Sequence, residues 1–404
     1  MKGKHGRRRL AGIASVALAS LAAAQPAYAV EFGTKDGWSA SFDGIINAFA
    51  ISAKADRLGG ADSSVTETRI TSGWNPSKFN AHFKAPEVNA LTVSGNFQYA
   101  ARLTGDGADG VSAGGPNQQM DVRVLDVNLS GGFGSIGVGR SWGIFNSQAI
   151  INDGASGLGV GALCGLPGGI VGGQCGRIGT GYSWTAFASR IEYDTPDLGG
   201  FTARIGLFDP GQPGGSVSFQ TKTPRIEAEG TFAAKFDAAA FKVWAGVLDQ
   251  QLSAKDGGPS ASMKGVDGGA HVDVGPLGLT AAYTKTKGFG LGNYAGLGAG
   301  GIKLGGIFCS AGACKAAEAN QWYAEVDYRI GKTTLGASTG KGKQKDDARF
   351  GIAKIDATLN MVYVHHDLTP QLHVMAEYTT YKGDLNGRND TKYSFISLGA
   401  QYDF

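Results

Sequence analysis

After Val30 the chain is governed by a period of two that recurs over segments of roughly ten residues, the length of a tilted membrane-crossing strand. From Leu91 onward, Leu91, Val93, Phe97, Tyr99, Ala101 and Leu103 share one face, while Thr92, Ser94, Asn96, Gln98, Arg102 and Thr104 share the other. From Trp322 to Ile330, Trp322, Ala324, Val326, Tyr328 and Ile330 oppose Tyr323, Glu325, Asp327 and Arg329. Nowhere after Val30 do about 18 apolar residues run together, which excludes a helical membrane protein. The 66 glycines, about twice the usual ~7%, and the scarcity of Leu and Met also favour strands and turns over long helices. At 18% charged residues the composition is not that of a disordered chain.

A soluble sandwich shows the same alternation, so the connections decide. Short turns fall near 86–90, 131–134, 196–200, 237, 275–278, 331–332 and 367–370. Between them lie longer polar or glycine-rich segments near 54–64, 105–119, 143–185, 209–223, 253–264, 287–319, 341–349 and 383–390. Seven turns and eight loops join sixteen strands. An even strand count with short turns at one end and long loops at the other is what a closed outer-membrane barrel requires, because lipid tolerates no open sheet edge. The predicted fold is therefore all-β, a transmembrane antiparallel barrel of sixteen strands. Ile396, Leu398, Ala400, Tyr402 and Phe404 give the last strand one apolar face that ends on the terminal aromatic, which reads as an outer-membrane assembly signal for the barrel-assembly machinery.

The first 29 residues have a cationic start, an apolar run from Leu10 to Ala24, and the small-x-small end Ala27-Tyr28-Ala29, the three parts of a secretory signal. They predict export and a single mature domain over 30–404. This segment also holds Lys2, Lys4, Arg7, Arg8 and Arg9, so removing it leaves 32 basic against 34 acidic side chains, a net of −2 in place of +3. A nucleic-acid partner loses its support.

Gly132-Phe133-Gly134 with Gly139-Arg140, then Tyr193-Asp194-Thr195-Pro196 followed by Gly199-Gly200-Phe201, then the terminal Tyr402-Asp403-Phe404, occur in an order and spacing that resemble the Gram-negative general porins. The resemblance implies a homotrimer in the bacterial outer membrane, among outer-membrane lipids and lipopolysaccharide, that passes small hydrophilic solutes without a cofactor. It also implies that the loop after the fifth strand, here 143–185, folds inward as a constriction facing arginines on the opposite wall. Arg69, Arg140 and Arg177 sit where that family places constriction arginines. This loop is poor in acids, holding Asp153 alone against Arg177.

Parity of the strands adds to that set independently. Ile70 faces outward and sets Arg69 inward; Val122 and Val124 do the same for Arg123, and Ile191 and Tyr193 for Arg190. Arg102 and Arg204 are inward by the same rule. Each can equally be the partner of a lumen acid such as Asp121, Glu192 or Asp194, and both readings stay open. Arg140 shares the parity of Ile136 and Val138; a bilayer-facing charge costs roughly 2–4 kcal/mol, so a bulge near Gly139 is expected to turn it inward. The expected result is a moderate anion preference.

Cys164 with Cys175 and Cys309 with Cys314 each fall within one loop of an exported chain, which favours two local disulfides over a metal site. His365, His366 and His373 flank a turn and read as exposed turn residues. No Ser, His and acid set is spaced for hydrolysis, and the glycines form no phosphate loop, so no enzyme is predicted. Two alternatives remain: a substrate-specific channel that uses Trp244 and Tyr323 as stacking surfaces, or a barrel serving as a structural anchor or adhesin.

Overall fold

The computed structural model describes residues 29–32, 36–57, 64–101, 120–166, 169–210, 219–254, 259–291, 306–310, 312–387 and 391–404. The predicted signal residues 1–28 and Arg102 lie outside them. In chain order the strands are β1 (Val30–Phe32), β2 (Ser39–Arg57), β3 (Val65–Thr71), β4 (Ser77–Lys84), β5 (Thr92–Ala101), β6 (Met120–Gly131) and β7 (Gly134–Trp142). The long loop then carries α1 (Ser147–Ile151), α2 (Gly154–Gly157), β8 (Ala162–Leu166) and β9 (Gly169–Gly176). The wall resumes with β10 (Phe187–Asp194), β11 (Phe201–Phe208), β12 (Phe219–Gln220), β13 (Arg225–Lys235), β14 (Ala239–Ala254), β15 (Ala261–Val274) and β16 (Leu277–Lys287). After a loop hairpin of β17 (Ile307–Ser310) and β18 (Ala313–Ala316) come β19 (Glu318–Ile330), β20 (Thr333–Gln344), β21 (Ile355–Asp367), β22 (Leu372–Leu385) and β23 (Thr391–Asp403).

Every wall pairing is antiparallel, and β23 pairs with β2 from Asp403 opposite Ile45 to Lys392 opposite Arg57, which closes the sheet. β3 and β4 both pair with β2 and act as one broken strand, so the closed wall has sixteen strands, as the turn and loop lengths predict. Closure satisfies the backbone groups that an open edge would leave bare in lipid. Side-chain parity follows the sequence reading: Ile70, Leu125, Val138, Ile191, Leu398 and Tyr402 are exposed on the outside, and their strand neighbours point in.

The chain end is built into this wall. The Phe404 amide donates to the Gly44 carbonyl at 3.1 Å, the Gly44 amide donates back at 2.8 Å, and the Phe404 ring lies 5.6 Å from that of Phe79.

Candidate functional site

Residues 143–186 leave the wall after β7 and run along its inside. Most of the described residues among them are buried there, and each buried N–H needs an acceptor. Carboxylates of distant strands supply them. Glu227 on β13 accepts from the Ile144 and Phe145 amides at 2.7 and 2.9 Å. Glu229 accepts from the Ser147 hydroxyl at 3.4 Å, and Asp267 on β15 from the Asn146 amide at 3.4 Å. Glu325 on β19 accepts from Ala155 at 3.2 Å; Glu377 on β22 accepts from Val160 at 2.8 Å and Gly161 at 3.2 Å. The loop ends its circuit at the break between β3 and β4, where the Trp74 amide donates to Gly159 at 2.8 Å and Gln174 to Thr71 at 3.1 Å. Ile144, Phe145, Ile150, Val160 and Leu163 are buried against the wall. Each such side chain contributes about 1.5–3 kcal/mol, enough to hold the loop down. Gly340 and Gly342 on β20 make room for it, since a Cβ at either would collide with the Thr180 or Gly179 carbonyl.

Asp153 and Arg177, predicted to line the constriction, are buried completely and pair with each other at 3.4 Å. Asp153 also accepts from the Ser156 amide at 3.2 Å, capping α2, and from the Tyr182 hydroxyl at 2.8 Å. Burial, reinforced by the Asp153 charge, raises the Tyr182 pKa well above the usual tyrosine value. The Arg177 guanidinium lies 5.4 Å from the Tyr323 ring centre and donates to Ser338 Oγ on β20. The pair clamps the loop to the wall and presents no charge to the lumen. Trp244 and Tyr323 are likewise buried, at 4% and 1% exposure, with the Tyr323 hydroxyl donating to the Ala149 carbonyl at 2.7 Å. They offer no stacking surface to a solute.

The opposite wall, from β4 to β11, carries a ladder of charges. Arg190 bridges Asp126 at 3.5 Å and Glu192 at 3.0 Å; Arg204 bridges Glu192 at 2.6 Å and Asp194 at 3.3 Å. Below them His82 joins Asp43 at 3.0 Å and Asn96 at 2.8 Å, and Asn96 donates to Asp126 at 2.8 Å. Of the two readings of the inward arginines, pairing with lumen acids is the one seen for Arg123, Arg190 and Arg204. Arg69 lies on the inner face, opposite the fully buried Ile51.

Two details differ from strict alternation. The register slips between β5 and β6, with Gln98 opposite Val124 but Tyr99 opposite Val122, which leaves Arg123 as the extra residue. Arg123 bonds Asp121 at 3.0 Å and reaches over the Phe187 ring. The expected bulge at Gly139 is not what the pairing shows. Gly139 does take a φ of +134°, but β7 pairs with β10 unbroken from Ser135 to Trp142. Arg140 therefore stays opposite Leu125 and Ser189 on the outward side, where its Nε donates to the Val122 carbonyl at 3.0 Å. That carbonyl sits beyond the point where the β6–β7 pairing ends, at Leu125 opposite Arg140.

Cys309 and Cys314 form a disulfide across the β17–β18 hairpin. Cys175 is disulfide-bonded as well, while the side chain of Cys164 lies outside what the structure describes. The histidines near the turn are not simply exposed. His373 bridges Asp367 at 2.7 Å and Asp403 at 3.2 Å, and His365 is stacked on Tyr363 at 4.6 Å. Sequence reasoning missed His82 and the loop-binding role of the five carboxylates, of which only Glu325 was assigned to a strand face. The alternation of Glu227 and Glu229 with Ile226 and Ala228 would have placed these acids inside had it been followed past β11.

A family model described as Gram-negative porin matches residues 11–387. Similar solved structures include the outer membrane channel DcaP of Acinetobacter baumannii, with 15% identity, a TM-score of 0.66, and coverage of 92% of this chain and 99% of that one. The anion-selective porin from Comamonas acidovorans has 16% identity and a TM-score of 0.59, covering 91% and 100%. The trimer form of OmpT, an outer membrane protein of Vibrio cholerae, has 15% identity and a TM-score of 0.53, covering 91% and 100%. No curated protein matches the chain. At these identities the likeness to solved structures speaks for the fold alone.

Proposed function

The chain belongs to the Gram-negative porin family and forms an outer-membrane channel for passive diffusion; from that premise we propose a non-enzymatic, homotrimeric pore for small hydrophilic solutes, narrowed by residues 143–186 and mildly selective for anions. The mature protein is a single domain over 30–404, released from its signal segment, with Phe404 and Tyr402 closing the strand that the assembly machinery reads. The observation that carries the reading is the inward loop itself, held on the inner face of a closed barrel by carboxylates of β13, β15, β19 and β22. The trimer form of OmpT supports the oligomer.

The anion preference rests on which charges meet water. Glu227, Glu229, Asp267, Glu325 and Glu377 are 1–6% exposed beneath the loop, so a permeating ion feels little of them. On the opposite wall Glu192 has 2% side-chain exposure, whereas its partners Arg190 and Arg204 have 9% and 22%. The arginines thus stand in front of the carboxylate they share. Asp121 and Asp194, at 37% and 39%, offset part of this, which makes the preference mild. The anion-selective porin of Comamonas acidovorans is a precedent within the fold. The zero-current potential of reconstituted channels in a KCl gradient tests the proposal: a potential of the anion-selective sign is expected, and a clearly cation-selective one overturns it.

A further inference from the structure

Among the described charged groups of the bare wall, His82 alone is of a type that changes charge between about pH 5 and 8. It lies on β4, opposite Ser41 of β2 and Asn96 of β5. Both of its ring nitrogens face oxygen: Nε2 is 3.0 Å from Asp43 Oδ2, and Nδ1 is 2.8 Å from Asn96 Oδ1. The partners of these oxygens fix their roles. Asn96 Nδ2 donates to Asp126 at 2.8 Å, and Asp126, which pairs with Arg190 and also accepts from Asn128, is a carboxylate that only accepts. Turning the Asn96 amide over would set oxygen against oxygen, so its Oδ1 stays toward His82. Asp43 takes a second bond from Asn80, whose own oxygen accepts from Gln98 at 2.9 Å. Two acceptors therefore meet one imidazole, and only the doubly protonated ring has two N–H donors. A neutral ring keeps one of the two bonds and loses the other.

This charge stands where ions pass. The His82 side chain is 41% exposed and that of Asp43 22%, so the ring stands in front of its carboxylate, as Arg204 does before Glu192. The other charged groups around it are Asp43 on β2, Asp126 on β6 with its partner Arg190, and Lys78 and Lys84 on its own strand and face. Glu31 of β1 is in register with Ser41, one strand farther off. Two further inward histidines also meet carboxylates, His271 beside Asp273 and His373 between Asp367 and Asp403, but at 28% and 12% exposure they are less open to the lumen.

We infer that His82 is a specificity-determining residue of the pore: doubly protonated, it adds a cation to the lumen wall at low pH, and it withdraws that cation as pH rises. The inference rests on the pore reading and deepens it. The test is the zero-current potential of reconstituted channels in a KCl gradient at about pH 5.5 and about pH 8, on either side of the ordinary histidine range. In wild type the anion-to-cation permeability ratio should fall about twofold across that interval, the effect of one unit charge roughly 10 Å away in water. His82→Arg, a cation at both ends, should lose most of that fall, and His82→Gln should show the lower ratio already at the acid end. His271→Gln and His373→Gln should keep most of the fall. As a second measurement, valid even where a variant does not fold, the ¹⁵N signals of the His82 ring in the wild-type protein should titrate in step with the ratio. A full wild-type fall in His82→Gln, a wild-type ratio independent of pH, or a His82 ring that does not titrate in this interval would overturn the inference and leave the pore reading intact. Absence of conductance from wild type would overturn both.

Discussion

Glu227 on β13 and Glu192 on β10 are both inward carboxylates, with 1% and 2% exposure, yet they are satisfied in opposite ways. Glu227 accepts two backbone amides from the inward loop and one bond from its neighbour Arg225; Glu192 accepts hydrogen bonds from Arg204 and forms an ion pair with Arg190, both on its own wall. The covered half of the barrel spends its acids on holding a segment of chain. The bare half spends them on ordering cations that line the lumen. On the proposed reading, the buried acceptors of loop amides should therefore govern whether the loop stays docked and, with it, the width of the pore. Exchanging charge on the bare half should instead change which ions enter.

The largest effect expected on the covered side comes from Arg177→Ala, which strands Asp153 in a site where, among the described residues, no other cation pairs with it. Breaking a buried pair by removing one partner costs about 3–5 kcal/mol, so hydrogen exchange and protease cleavage over 143–186 should rise sharply. Wild-type protection would mean that the clamp is not what holds the loop. Glu377→Gln comes next. It keeps an acceptor but removes the charge that strengthens two bonds to Val160 and Gly161, a loss of about 2 kcal/mol; faster exchange at those two amides is the readout, and unchanged rates would count against it. Serine at both Cys309 and Cys314 opens a short closed loop, with a cost of roughly 2 kcal/mol confined to the β17–β18 hairpin; loosening of 143–186 in that variant would contradict the separation. The smallest structural effect belongs to the bare wall. Arg190→Gln leaves Glu192 its contact with Arg204 and Asp126 its bonds from Asn96 and Asn128, and should move the zero-current potential toward cations with a smaller loss of stability than Arg177→Ala. Asp153→Asn should leave that potential unchanged, because the side chain does not face the lumen.

The same contrast explains what was legible beforehand. Strand number, turns, closure and outward residues such as Ile70 and Leu398 follow from a local period of two, and lipid enforces that period on every strand. The inward placement of Arg123 was legible, but its cause was not. Val124 lies opposite Gln98 because of a one-residue slip, which alternation within β6 alone does not reveal. Arg140 shows the converse: simple parity was right, and the expected bulge at Gly139 was an unneeded rescue, since the Val122 carbonyl accepts its charge-assisted bond. Asp153 and Arg177 were found as the charged residues of the loop but assigned to the lumen, because burial of a pair depends on Tyr182, Tyr323 and Ser338 meeting it from distant positions. The inward parity of the loop-binding acids was legible, but their role was not: their partners are backbone amides on another segment, and those leave no mark in composition or spacing.

If the loop, docked by wall carboxylates, sets the width of an otherwise open barrel, undocking it should widen the pore. Single-channel recording in planar bilayers tests it most directly, comparing wild type with a variant in which Glu227, Glu325 and Glu377 are all alanine. Wild type should show steady steps that scale with KCl concentration, and the variant larger and noisier steps from the same folded barrel. Absence of steps in wild type, or steps of equal size in the folded variant, would contradict the account.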